Sequence, residues 1–489
     1  MVSVARPAKD AASGPQVRLI PRLSAGPGPL VHQSHLGAGV HVGVDLMSPI
    51  QWHTVSFWAL HDASGPLLRA LIGDEAADDL RGGGPLCRAS AARGVAVDLA
   101  GAAPWLRVAV VDALDRWLQV PLEQSLVDAE RGVSRGQAAR TLPDGPARAL
   151  LIGDALRLAR RASHDLVAFL RGLGSHSHVV PNQILLALKR LVDGYTRLVD
   201  EVAGPDRKLA AVLEGWQQLS RRVGGADRPE PGGGRSTAGP RPPILRRTGG
   251  RLTSMIDPRQ IRARVFALSA DPTSPEVALS KAELGDSDAV LVRVPAFGRG
   301  VDPDIKSRLM VRLVDRRSGD LKGHALLNMA VGPLGADDAP FFEATVPLCG
   351  LSVSDVRADV FDALSDLPPA RTDDDSALQE VRRAVVFLSE WRQMLGVAQM
   401  PAATAGLARR LRELASRLAP GGAGASDPLF AGGPSGAELE ALAEEGDDEL
   451  LSRLRGDRAL IGNGPLGVTQ GAGGLLVAEV VAAHVSPAA

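Results

Sequence analysis

The chain is poor in aromatic residues, which make up 3% of its 489 residues and include a single tyrosine, Tyr195. A core of ordinary size therefore has to be built from aliphatic side chains, chiefly Ala, Val and Leu. Hydrophobic residues at 45% and charged residues at 23% lie within the range of globular proteins, so such a core is possible. The length exceeds that of one ordinary domain and predicts roughly two to four.

Cysteine is almost absent, since only Cys87 and Cys349 occur and neither belongs to a C-x-x-C pair. Two such residues cannot build a disulfide framework, which favours a reducing compartment. The N-terminus lacks a long apolar run, so no secretory signal is predicted. The longest apolar stretch, 467–485, contains Glu479 and many glycines and is a poor candidate for a membrane span. We therefore expect a cytoplasmic protein.

The chain has no excess of charge of either sign, because its formal net charge is −1. This balance argues against nucleic acid and anionic membrane as partners, since both attract basic proteins. Its basic residues are nearly all Arg, and with the abundant Ala and Gly this composition is typical of a bacterial genome of high GC content. The P-loop, H-E-x-x-H, EF-hand and G-x-S-x-G motifs are all missing, and we expect no cofactor.

The order of patterns predicts an α+β multi-domain protein with an N-terminal α/β domain, a helical bundle, an antiparallel β-sandwich and C-terminal helices. A stretch of Gly, Pro and polar residues cannot bury enough apolar surface to fold and forms the strongest boundary. The predicted parts are a small α/β or α+β domain at 1–143, a helical bundle or hairpin at 144–223, a flexible linker at 224–243, an antiparallel β-sandwich at 244–368 and a helical region at 369–489 with a flexible segment at 420–436.

The N-terminal part alternates apolar and polar residues over 41–46, 55–60 and 95–99, which predicts three strands. A helical face follows, formed by Leu106, Val110, Ala113, Leu114 and Trp117.

Residues 146–223 show helical spacing in three successive segments joined by short turns, which predicts antiparallel neighbouring helices. The middle helix, 182–202, carries a narrow apolar seam. We expect this seam to pack against the two neighbouring helices, with contact to another chain as the alternative. The seam consists of Ile184, Leu188, Leu191, Tyr195, Leu198 and Val202.

After the linker the period of the pattern changes to two, which predicts at least six short strands and hence the sandwich. The C-terminal region returns to helical spacing and predicts helices around 378–395, 407–418 and 438–454. The predicted strands are 264–268, 289–294, 309–314, 321–329, 341–346 and 356–361.

Histidine is unevenly distributed, because five of the ten lie between residues 32 and 61. Imidazole and carboxylate together form the ligand set of hydrolytic zinc sites, in which the metal supplies hydroxide near neutral pH. On one alternating strand, His41 and Asp45 face the same side. His35, His41 and Asp45 are therefore the candidate metal ligands, with dispersed surface histidines as the alternative.

Two functions of different classes follow from these patterns. The first is a non-catalytic intracellular protein-interaction or assembly protein, with a protein partner or self-association. The alternative is an enzyme with its site in the N-terminal domain, most plausibly a metal-assisted hydrolase. Fold class does not separate them, because bundles and sandwiches host both.

Overall fold

The computed structural model describes the elements of the chain together with several of the segments that join them. The chain divides into two compact units. The first unit comprises Met1–Asp115, Leu122–Ala238 and Trp391–Ala489, and the second comprises Arg116–Pro121 and Gly239–Glu390. The described residues are 2–5, 16–21, 30–37, 40–46, 52–58, 65–82, 94–95, 99–120, 122–176, 182–201, 206–224, 252–266, 276–284, 287–297, 303–331, 340–348, 350–364, 375–398, 406–418, 436–456 and 474–485.

The first unit begins with six strands that form one sheet in the order β3-β4-β5-β2-β1-β6. All the pairings described in this sheet are antiparallel, so the N-terminal part is α+β and lacks the parallel sheet of an α/β domain. The strands are β1 (Val2–Ala5), β2 (Gln16–Pro21), β3 (Val31–Gly37), β4 (Val40–Asp45), β5 (Trp52–Trp58) and β6 (Gly94–Val95).

The other described elements of the first unit are helices, and the three predicted between 146 and 223 are present. Of the strand predicted at 95–99, Val95 is the end of β6 and Leu99 begins a helix, while 96–98 lie outside the described residues. The helices are α1 (Gly65–Ile72), α2 (Asp74–Gly82), α3 (Leu99–Trp117, whose last two residues belong to the second unit), α4 (Gln124–Ala139), α5 (Pro146–His176), α6 (Asn182–Glu201) and α7 (Arg207–Gly224).

Helix α4 packs against α5, α6 and the C-terminal helix α13 (Val477–Val485). Its close approach to α5 depends on Gly132, where a Cβ atom would lie 2.9 Å from the carbonyl oxygen of Ala155. Helix α6 also approaches α4 closely, because a Cβ atom on Gly194 of α6 would overlap the side chain of Val133 of α4. Small residues therefore set the spacing at the centre of the helical part.

The apolar seam of α6 is buried within this chain, as the first of its two interpretations expects. Its described members Ile184, Leu188, Leu191, Tyr195 and Leu198 are at most 3% exposed, and α6 contacts α4, α5, α7 and α13. Val202 lies outside the described residues. The seam therefore belongs to the core and is closed to another chain.

Three short helices, α10 (Leu407–Leu418), α11 (Gly436–Glu444) and α12 (Asp447–Gly456), pack on one another. The single helix predicted over 438–454 is in fact two, because Gly446 adopts a left-handed φ of 85° and breaks it. The following residue, Asp447, accepts hydrogen bonds from the backbone N–H groups of Gly406 (2.8 Å) and Ala408 (3.0 Å) at the start of α10. Those bonds lower the pKa of Asp447.

The described residues of the second unit include eight strands and a short helix, α8 (Pro303–Lys306). The strands form two antiparallel sheets with the orders β11-β10-β14 and β12-β13-β9-β8-β7. Buried residues of both sheets belong to one hydrophobic cluster, which includes Val292, Leu313, Phe342 and Val360. The strands are β7 (Leu252–Ser254), β8 (Val277–Leu284), β9 (Ser287–Pro295), β10 (Leu309–Asp315), β11 (Leu321–Leu326), β12 (Asn328–Val331), β13 (Pro340–Pro347) and β14 (Val356–Asp362).

Two strand predictions in this unit need correction. The segment predicted at 321–329 is two strands in different sheets. The buried Leu327 lies between β11 and β12, where the chain passes from one sheet to the other. The segment predicted at 264–268 contains a 3-10 turn over Ala263–Val265, followed by an isolated bridge between Phe266 and Ala296. Strand β8 was not predicted, and the second half of this strand is largely exposed.

Helix α9 (Asp375–Ala398) contributes Asp375–Glu390 to the second unit and Trp391–Ala398 to the first. In the second unit, its buried Arg382 forms an ion pair with the buried Glu276 beside the start of β8.

None of the helices in the described part of the chain is long and apolar enough to cross a membrane.

Candidate functional site

Two of the three candidate metal ligands meet on the N-terminal sheet. His35 of β3 and His41 of β4 are direct partners in the antiparallel register. Their ring centroids are 4.7 Å apart and the ring planes are tilted by 59°. His35 is exposed and His41 is partly buried. Burial, and after it the neighbouring His35, lower the pKa of His41.

The third candidate ligand, Asp45, shares the sheet face of His41 but lies far from it. The two residues are four positions apart on β4, which separates them by about 13 Å at the usual rise of a strand. Asp45 is buried and lies opposite Val31 in the register. Within the described ranges, no group of three or more His, Cys, Asp or Glu residues comes together in a way that could hold a metal ion.

A buried cluster of charges lies between the sheet and the helices of the first unit. At its centre, Asp112 of α3 accepts hydrogen bonds from Arg131 (2.9 Å) and Arg135 (2.9 Å) of α4. It also accepts one from the Ser34 hydroxyl of β3, at 2.9 Å. Burial would raise the pKa of Asp112, but the two arginines and the hydrogen bonds outweigh it, so that the net pKa is lowered. Asp112 is therefore held as a carboxylate.

Arg131 is surrounded by three carboxylates. Besides Asp112, it lies 3.5 Å from a carboxylate oxygen of Asp115 and 3.4 Å from one of Asp128. Burial disfavours its charge, but the three carboxylates together raise the pKa of the guanidinium. Asp128 is 3.9 Å from Arg161 of α5 as well. The cluster thus connects a strand and three helices through ions of opposite sign.

A second buried network fixes the start of α13. Arg392 of α9 is fully buried and donates two hydrogen bonds to the Glu479 carboxylate, at 2.5 and 2.6 Å. Glu479 also accepts the backbone N–H of Leu476 at 2.6 Å. Glu130 of α4 accepts the N–H of Val477 at 2.8 Å and pairs with Arg107 of α3. Two carboxylates thus satisfy N–H groups at the positive end of α13.

The carbonyl of Gly474 joins the two halves of this network. It accepts hydrogen bonds from Arg107 at 2.6 Å and from Arg392 at 3.3 Å. The carboxylates of both networks form hydrogen bonds or ion pairs with guanidinium or N–H groups. These hydrogen bonds and ion pairs join residues of different helices, so the networks are suited to fixing helices in place.

The outer face of the three-stranded sheet carries an apolar row. Leu326, Met310 and Phe361 are directly opposed across β11, β10 and β14. The flanking residues Leu309, Val311 and Val360 point into the core, so this row lies on the opposite face. Leu326 is 42% exposed, and Leu364, two residues beyond β14, is 71% exposed. We call Met310, Leu326, Phe361 and Leu364 the apolar end patch.

A charged pair borders this patch. Arg312 lies over the Phe361 ring at 4.9 Å and is 3.4 Å from an Asp359 carboxylate oxygen. The face therefore combines the exposed Leu326 with an ion pair whose side chains are 17% and 15% exposed.

Sequence patterns did not predict the two charge networks or the apolar end patch. The partners in the networks are up to 368 positions apart, and no local motif joins them. The only local signal was the group of Asp and Arg residues within 112–135, which by itself is typical of solvated helix charge. Cys87, Cys349 and His178 lie outside the described residues.

Comparison of the chain with protein-family models, with curated proteins and with solved structures finds no match.

Proposed function

We propose that this chain is a non-catalytic protein-interaction or assembly protein, acting in the cytoplasm of a bacterium. The observation that carries the proposal is the apolar end patch, in which Leu326 at the end of β11 is 42% exposed and Leu364, just beyond β14, is 71% exposed. Exposed aliphatic groups gathered at one end of a sheet favour binding to a complementary apolar surface.

The chemistry of the buried ions supports a non-catalytic role. A catalytic acid or base needs a pKa near the working pH, as well as access to a substrate. Asp112 has the opposite properties, because it is buried and its pKa is lowered. Its partners Arg131 and Arg135 belong to the same closed cluster.

Within this proposal, the two sheets of the second unit form the β-sandwich that the sequence predicts, and the sandwich presents the apolar end patch. The shared hydrophobic cluster and the antiparallel order of both sheets support this architecture. The segment 224–243 is proposed as the linker between the bundle and the sandwich; apart from Gly224, the last residue of α7, it lies outside the described residues.

The test is a patch variant in which Leu326 and Leu364 are both changed to Asp. Light scattering during gel filtration reports self-association, and affinity purification of the tagged chain from its native host reports partners. We expect the wild-type chain to run above its monomer mass of 51.0 kDa or to retain a stoichiometric partner, and the patch variant to lose that association.

A matched control is Leu150→Asp, since Leu150 is 71% exposed on α5 in the first unit. This variant should keep the association. A wild-type chain that is monomeric and retains no protein would contradict the proposal. So would equal behaviour of the patch variant and the control, provided that circular dichroism shows both to be folded.

A further inference from the structure

The paired imidazoles of His35 and His41 have a separation that fits a shared metal ion. In a bound histidine, the metal lies about 3.2 Å from the ring centroid, given a Zn–N distance near 2.0–2.1 Å. Two such rings at a nitrogen–metal–nitrogen angle between 90° and 109° have centroids about 4.5 to 5.2 Å apart. The observed centroid distance of 4.7 Å lies inside this interval.

The position of the pair also suits a ligand site. Both residues are on β3 and β4, whose antiparallel register fixes their backbones relative to each other. Side chains on strands are placed more precisely than side chains on loops, so little conformational entropy is lost when the two rings bind one ion. His35 is exposed, which leaves a path for an ion from solvent.

We propose that His35 and His41 form a two-histidine site for a divalent transition metal ion of the class that prefers imidazole, represented by Zn²⁺, Ni²⁺ and Cu²⁺. The remaining coordination positions are open to water or to a small anion. Asp45 takes no part as a direct ligand, because it is about 13 Å from His41 along the strand.

This inference does not depend on the proposed interaction function, because the pair lies in the first unit and the apolar end patch lies in the second. It differs from a hydrolytic zinc site, which has three protein ligands and one open position. With two protein ligands, the site is expected to bind its metal more weakly than such an enzyme does.

The experiment is a calorimetric titration of the full chain with ZnCl₂ at neutral pH. We expect one Zn²⁺ to bind per chain, and we expect His35→Ala and His41→Ala each to weaken binding at least tenfold. Asp45→Asn should leave the affinity within twofold. MgCl₂ should not bind, because Mg²⁺ prefers oxygen ligands.

His324→Ala is the matched control, since His324 is an exposed histidine on strand β11 of the second unit. It should bind Zn²⁺ as the wild-type chain does. A second readout is the rise in thermal unfolding midpoint with added Zn²⁺, which should vanish in His35→Ala. The proposal fails if the wild-type chain binds no Zn²⁺, or if His35→Ala, shown by circular dichroism to be folded, binds Zn²⁺ as tightly as His324→Ala does.

Discussion

The two units bury electric charge to different extents. In the first unit, the core contains the Asp112 cluster and the network of Arg392, Glu479 and Glu130. In the second unit, the two sheets share a large hydrophobic cluster. Among the described residues there, the buried ion pair joins Arg382 and Glu276. Ion pairs between specific residues thus hold the helices of the first unit in place. The sheets of the second unit are held together mainly by buried apolar surface and the fit of its side chains.

This difference has a consequence for how each unit responds to substitution. An apolar cluster loses stability in proportion to the volume that is removed. A buried ion pair loses more when one partner is removed than when both are replaced, because the remaining ion stays buried without compensation. The two units should therefore fail in different ways.

The largest effect is expected when one partner of a buried pair is removed from the first unit. Arg392→Met keeps the length of the side chain but leaves Glu479 buried without its guanidinium. We expect a loss of about 3–5 kcal/mol in the free energy of unfolding. Urea denaturation followed by circular dichroism measures it. The exposed pair of Arg409 and Glu413, 3.8 Å apart on α10, is the matched comparison. Arg409→Met should reduce the free energy of unfolding by less than about 1 kcal/mol. Equal losses in the two variants would contradict the expected difference between buried and exposed ion pairs.

A cavity in the second unit should have an effect of similar or smaller size. Leu313 is fully buried in the cluster shared by both sheets. Leu313→Ala should reduce the free energy of unfolding by about 2–5 kcal/mol, and Leu313→Met by less than about 1.5 kcal/mol. Unfolding curves of both variants check this expectation. If Leu313→Met reduced the free energy of unfolding as much as Leu313→Ala, the stability of the unit would depend on more than the volume that the side chain fills.

Close packing in the first unit predicts a difference between two glycines. A Cβ at Gly132 on α4 would meet the Ala155 carbonyl at 2.9 Å, whereas Gly153 on α5 has open space around it. We expect Gly132→Ala to cost about 1–3 kcal/mol. Gly153→Ala should stabilise by about 0.5–1 kcal/mol, since Ala favours helix. Thermal melts of both variants compare them, and a stabilised Gly132→Ala chain would mean that α4 and α5 are farther apart.

The smallest effect concerns pH. The folded pKa of Asp112 is below its ordinary value, so its ion pairs stabilise the first unit above about pH 4 and are lost as the pH falls further. The lowered pKa values of Asp206 and Asp447 act in the same direction. The thermal midpoint should therefore fall between about pH 5 and pH 3. In Asp112→Asn the thermal midpoint should change less with pH. If it changes as much as in the wild-type chain, the pH dependence comes from other carboxylates.

The sequence predicted the regular elements better where burial is apolar. Helices α5, α6 and α7 show their faces through Leu, Ile and Val at helical spacing. Strands β10 and β14 show theirs through buried residues at mostly alternate positions, although Met310 and Phe361 are apolar on the outer face. Helix α4 was missed, because its buried positions include Ser125, Glu130 and Gly136. A helix that is buried through small and charged residues has no hydrophobic periodicity to detect.

Prediction of the candidate sites was limited by separation along the chain. His35 and His41 were chosen because histidines are concentrated in this part of the sequence, and the antiparallel pairing of β3 and β4 brings the two together. Asp45 was included because it shares a face with His41, although a shared face does not bring residues close. Ser34 and Asp112 are 78 positions apart, and Glu130 and Val477 are 347 apart. Contacts of this kind depend on how the helices pack, and local patterns do not show them.

The claim that the buried charges of the first unit serve its architecture is tested most directly by a double-mutant cycle on Arg392 and Glu479. The free energy of unfolding is measured for the wild-type chain, Arg392→Met, Glu479→Leu and the double variant. We expect the double variant to be more stable than either single variant, with a coupling energy of at least about 2 kcal/mol. Losses that simply add would contradict the claim, because they would show that the two side chains contribute independently.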